Sequence, residues 1–176
     1  GTFYPPNWLT VGLPAWAALK VSVFVHVAWA AVGAYVLARR ALGVGIAAAI
    51  VAAGTFALGG SVGAHAEQIN QLQGIAWMPW AFLSCQRSAF SGQLQSRQWL
   101  SLTLNVFALA AVMALVALSG HTQTLFITGV GLGIYALAQP FGRDTDGIRR
   151  PFRQALTRYA RLASGHLVVL IGAAVM

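Results

Sequence analysis

Long stretches of this sequence carry no charge, and that constrains the fold more than any other feature. Residues 13–37 contain one charged side chain, Lys20, and the runs 43–58, 74–85, 99–119 and 122–137 contain none. Apolar residues make up 58% of the 176-residue chain and charged ones 8%, where a soluble domain carries roughly 25% charged. So few charges cannot clothe a water-facing surface, and so many apolar residues exclude disorder. The single cysteine, Cys85, can neither close an intramolecular disulfide nor hold a structural zinc by itself. The expected fold is all-α, a polytopic transmembrane helix bundle.

About six spans are expected: 13–37, 43–58, 71–85, 99–119, 122–137 and a truncated 163–176. Pro14 opens the first, where its missing N–H has no helical partner to lose, and Arg39-Arg40 follows its end. The third contains the shortest apolar run, and loop charge decides whether it crosses. If it does, Arg39, Arg40, Arg87 and Arg97 share one side with Arg143, Arg149, Arg150, Arg153, Arg158 and Arg161. If it turns back, the last eight of these oppose the first two. The positive-inside bias selects crossing, with the helix extended backward into Gln73 and Gln71. The basic loops are then cytoplasmic. That topology also accounts for the net charge of +8, so no nucleic-acid partner is expected.

The chain is expected to be an internal piece of a longer membrane protein. It opens on Gly1 without a charged and then apolar leader. The apolar residues 167–176 fall short of the ~20 that a crossing helix needs.

On the opposite, outer face lie residues 1–12, residues 59–73 and the turn Ser119-Gly120, with no Lys or Arg among them. Apolar residues at Val62, Ala66, Ile69, Leu72 and Ala76 have helical spacing, which predicts a short extracytoplasmic amphipathic helix over 62–76. Its polar face offers His65, Glu67, Gln68, Asn70 and Gln71. A carboxylate beside an imidazole can bind sugar hydroxyls or phosphate, or act as acid and base; the same pattern also describes a merely solvated face. Glu67, the one acidic residue on this side, is the weak catalytic candidate.

His121 and Gln123 begin the fifth span, where His121 either caps the helix or joins a cleft with His65 and Glu67. Lys20 lies about 10 Å from the outer end of the first span, at ~1.5 Å per residue. It serves either as an interface anchor or as a cation for a lipid-linked phosphate. His26, deeper and one turn from Ser22, reads as a neutral packing histidine. Pro79 within Trp77-Met78-Pro79-Trp80 is expected to kink the third span. Gly129 and Gly133 form a GxxxG pair suited to close helix packing. No metal-ligand spacing, phosphate-cradling loop or nucleophile elbow occurs, so no metal-ligating residues and no cofactor are expected, and a divalent-metal requirement stays open.

Read in order, several motifs are similar to a known family: Phe3-Tyr4-Pro5-Pro6-Asn7, His26-Val27-Ala28, Ala38-Arg39, Phe56-Ala57-Leu58-Gly59-Gly60, Gly74-Ile75-Ala76-Trp77-Met78-Pro79-Trp80 and Ser119-Gly120-His121-Thr122-Gln123. The series resembles the bacterial YfhO-like membrane proteins, relatives of the GT-C class of glycosyltransferases, over nearly all of the chain up to Pro140. The resemblance implies a many-span enzyme of the bacterial cytoplasmic membrane. It would transfer a sugar from a polyprenyl-phosphate carrier to a cell-envelope acceptor on the extracytoplasmic side. Its partners would be membrane lipid, the lipid-linked sugar donor and the envelope glycan. In that class an acidic residue of the first outer loop activates the acceptor. No acidic residue lies between Gly1 and Thr10, so the base is expected upstream of Gly1. On this reading His65, Glu67, His121 and Gln123 line the substrate groove and Lys20 meets the lipid phosphate. The alternatives are a transporter or flippase for lipid-linked glycans, or a non-catalytic membrane scaffold.

Overall fold

A computed structural model describes residues 3–65, 67–90 and 98–138, and every regular element among them is helical. A 3-10 helix, Pro5–Thr10, precedes α1 (Ala15–Arg40), α2 (Ile46–Ala57), α3 (Gly60–Ala64), α4 (Ile69–Phe90), α5 (Gln98–Leu118) and α6 (Thr122–Ala138).

Local chemistry sets the boundaries. The carbonyl of Pro14 accepts the amides of Ala17 and Ala18, both at 2.9 Å, and so starts α1. Arg39 and Arg40 occupy its last turn, where cations suit the helix dipole. Past Leu58, a side chain at Gly59 would collide with the Thr55 carbonyl, so only glycine allows the chain to bend out of α2 there. Gly120, at φ +83°, makes the turn from α5 to α6.

Small residues make up most of the buried stripes of the first two long helices. The buried stripe of α1 is Ser22, His26, Ala30, Gly33, Ala34 and Ala38, and that of α2 is Ala49, Ala53 and Ala57. Many large apolar side chains point outward: Phe24 is 75% exposed and Phe126 71%. Small residues one turn apart let helix backbones approach closely, which is how helices pack when lipid rather than water surrounds them. Ala30, Ala57 and Ala76 meet in one such seam between α1, α2 and α4. α4 lies at the centre, packed on α1, α5 and α6, while α2 packs on α1. At the Arg39 end Gln86 donates to the Ala41 carbonyl (2.7 Å) and accepts from the Tyr135 hydroxyl (3.1 Å), tying α4 to the end of α1 and to α6.

The helices lie over the first five expected runs; 163–176 and the segment with six arginines fall outside the described residues. Two stretches, Ala15–Arg40 and Ile46–Ala64, are long and apolar enough to cross a membrane. Thr103–Leu118 and Thr122–Ala138 are apolar but shorter. α4 has 22 residues, and its first turns carry Asn70, Gln71 and Gln73.

One expectation is corrected. The single amphipathic helix over 62–76 does not form: α3 ends at Ala64, and α4 starts at Ile69. Nor does its apolar stripe face an interface, because Val62, Leu72 and Ile75 pack together as a core cluster against Val23 and Val27 of α1. The chain must reverse between α2 and α4, and the break at His65–Gln68 lets both short arms of the stripe be buried.

Candidate functional site

At the end of the bundle bearing Gly59 and Gly120, α4 presents different faces to two features. One is a groove of about 750 Å³ between α2, α4 and α6. Its walls are apolar, including Val51, Phe56, Ile75, Met78 and Ile127, and its polar groups include His65, Gln71 and Thr124. His65 caps α3, Gln71 lies in the first turn of α4 and Thr124 in the first turn of α6, so these three share one mouth. Pro79 supplies no N–H to the Ile75 carbonyl four residues back, which deprives a groove-lining residue of its helical donor.

The expected site residues are partly gathered here. His65, half-buried, lines the groove. His121 reaches its edge through Thr124: the imidazole Nδ1 accepts the Thr124 amide at 3.2 Å and lies 2.7 Å from the Thr124 hydroxyl. This is a helix cap, and a Nδ1 that accepts leaves the ring proton on Nε2. Lys20, Glu67 and Gln123 are exposed and do not line the groove. Lys20 lies with its ammonium 5.3 Å from the ring centre of Trp16. Glu67 occupies the turn between α3 and α4.

The second feature is a buried polar junction between the 3-10 segment, α1 and α4. Its proton positions follow from partner types. The Ser22 carbonyl can only accept, so His26 Nδ1, 2.7 Å away, carries the hydrogen. His26 Nε2 then accepts from the Tyr4 hydroxyl at 2.9 Å, and the Tyr4 oxygen accepts from Trp77 Nε1 at 2.7 Å. One turn up α4, Gln73 Nε2 donates to Asn7 Oδ1 at 2.6 Å, and Ser22 Oγ stands 3.4 Å from it. The Gln73 carbonyl oxygen is buried without a partner in the structure. Tyr4 is fully buried. Trp29 stacks on Trp80 with ring centres 4.5 Å apart, and meets Trp77 edge-on at 5.4 Å.

The packing role expected of His26 is therefore what its contacts give. Sequence reasoning did not single out Tyr4, Asn7, Gln73 or Trp77 as partners. Three of the four lie in strings that did stand out, Phe3-Tyr4-Pro5-Pro6-Asn7 and Gly74-Ile75-Ala76-Trp77-Met78-Pro79-Trp80. The usable signal was a set of polar side chains in segments otherwise free of charge. Among the described residues, no three His, Cys, Asp or Glu side chains gather as a metal site would require.

No protein-family model, curated protein or solved structure matches this chain.

Proposed function

We propose that this chain belongs to a membrane-embedded, glycosyltransferase-like protein that moves a sugar from a polyprenyl-phosphate carrier to a cell-envelope acceptor. The groove carries this reading. Its apolar length suits a hydrocarbon chain, and its mouth of His65, Gln71 and Thr124 suits a hydroxyl- or phosphate-bearing head. Support for a lipid surround comes from the small residues buried along α1 and α2 beside the exposed Phe24, Phe107 and Phe126. The helices are then spans of a six-span bundle in the bacterial cytoplasmic membrane, with Arg39 and Arg40 cytoplasmic and the groove mouth extracytoplasmic. His65 and the Nε2–H of His121 face the head group, and Glu67 is the acidic residue nearest in sequence to His65. The YfhO-like order of motifs favours the same reading.

The test uses the full-length protein in proteoliposomes with a radiolabelled polyprenyl-phosphate sugar. Ile75→Trp, which fills the groove, and His65→Ala are expected to lower transfer at least tenfold while membrane insertion is unchanged. Unchanged transfer in both variants refutes the site. Binding of the labelled lipid without any transfer by the wild-type protein selects the transporter or flippase reading instead.

A further inference from the structure

The segment preceding α1 doubles back along it. Gly12, at φ +96°, turns the chain, and Tyr4 is then bonded to His26, well inside α1, and Asn7 to Gln73 of α4. Asn7 meets Gln73 beside Ser22, and Tyr4 meets His26. Counted from Ala15 at ~1.5 Å per residue, these levels lie about 10 Å and about 17 Å along the α1 axis. Lys20 sits above both, its ammonium beside Trp16. A cation paired with a tryptophan marks the boundary between head groups and hydrocarbon. The hydrogen bonds therefore hold the 3-10 segment at and below that boundary.

Its outward side suits that depth. Phe3, Trp8, Leu9 and Val11 are 76, 61, 82 and 80% exposed, and Trp16, Leu19 and Phe24 of α1 are exposed as well. No charged residue occurs between Phe3 and Leu19. The backbone also tolerates lipid, where an unmet polar group is costly. Pro5 and Pro6 have no N–H to satisfy, the Asn7 amide donates to the Tyr4 carbonyl (3.0 Å), and the Thr10 hydroxyl donates to the Asn7 carbonyl (2.8 Å). We infer that the segment around Pro5–Thr10 is a re-entrant strap in the outer leaflet, latched to the bundle by Tyr4 and Asn7 and presenting Phe3, Trp8, Leu9 and Val11 to lipid. This inference rests on the membrane reading above, and its test separates the two.

Nitroxide labels are placed on Leu9→Cys and, separately, on Phe24→Cys in the full chain reconstituted into phosphatidylcholine vesicles. Cys85 is buried, so the parent protein is the unlabelled control, and Cys85→Ala provides a second background. Collisions with oxygen report lipid, and collisions with a water-soluble nickel chelate report solvent. Both labels are expected to favour oxygen, position 9 less strongly than position 24. A label at 24 that favours oxygen beside one at 9 that favours nickel overturns the strap and leaves the membrane reading standing. Shielding of position 9 from both probes means protein covers it and also overturns the strap. Nickel access at position 24 overturns the membrane reading and the strap together.

Discussion

A methyl group at Gly33 would sit 2.6 Å from Trp80 Nε1 and 3.0 Å from two further atoms of the same indole. Ordinary carbon contacts begin near 3.5 Å, so Gly33→Ala must either part α1 from α4 or rotate Trp80. Rotation sacrifices the 3.3 Å hydrogen bond from Trp80 Nε1 to the Trp29 carbonyl and the 4.5 Å stack on the Trp29 ring. Each is worth about 0.5–1.5 kcal/mol, in line with the ~1–3 kcal/mol typical of overpacking. Alanine returns up to ~1 kcal/mol of helix propensity, which leaves a net loss of about 1 kcal/mol and at most about 2 when the full propensity is regained. Gly54 is the control, since a methyl there, in the last turn of α2, meets nothing within 4 Å; Gly54→Ala is expected to be neutral or stabilising. The assay is equilibrium unfolding in mixed detergent micelles followed by tryptophan fluorescence. In a Trp80→Leu background the cost of Gly33→Ala should vanish. Equal costs at Gly33 and Gly54, or no coupling with Trp80, would refute the close α1–α4 approach.

Tyr4→Phe strips the Trp77 indole of its acceptor and His26 Nε2 of its donor, two buried losses of about 1–3 kcal/mol each; a double-mutant cycle with Trp77→Phe should show strong coupling. At the start of α6, His121→Asn should keep the cap and His121→Ala should cost about 1 kcal/mol. Transfer lost in both variants while His121→Asn stays stable would give the imidazole a role at the groove beyond capping.

The helices were legible because their signal is local. A charge-free run needs no partner to declare itself, and Pro14, Gly43 and Gly120 punctuate the chain wherever its backbone must start or turn. The amphipathic reading of 62–76 failed for a reason just as physical: a stripe with period 3.6 reports an apolar face without saying what covers it. Val62 and Leu72 found a core, so two helical pieces formed instead of one lying at a surface. His65 was picked from the sequence and does line the groove, whereas Glu67 and Gln123, equally polar and only two residues from His65 and His121, stay exposed and outside it.

By itself the sequence determined the helical class, the placement of the runs and the sorting of charge between them, since these follow from solvation of each segment taken alone. Only the tertiary structure decided that Tyr4 would meet His26 across 22 residues and Trp77 across 73. It also decided that Gln73 would be buried and that α2, α4 and α6 would leave a groove. Those outcomes depend on how closely alanine and glycine seams let the helices approach, a property of pairs of surfaces that no single segment encodes.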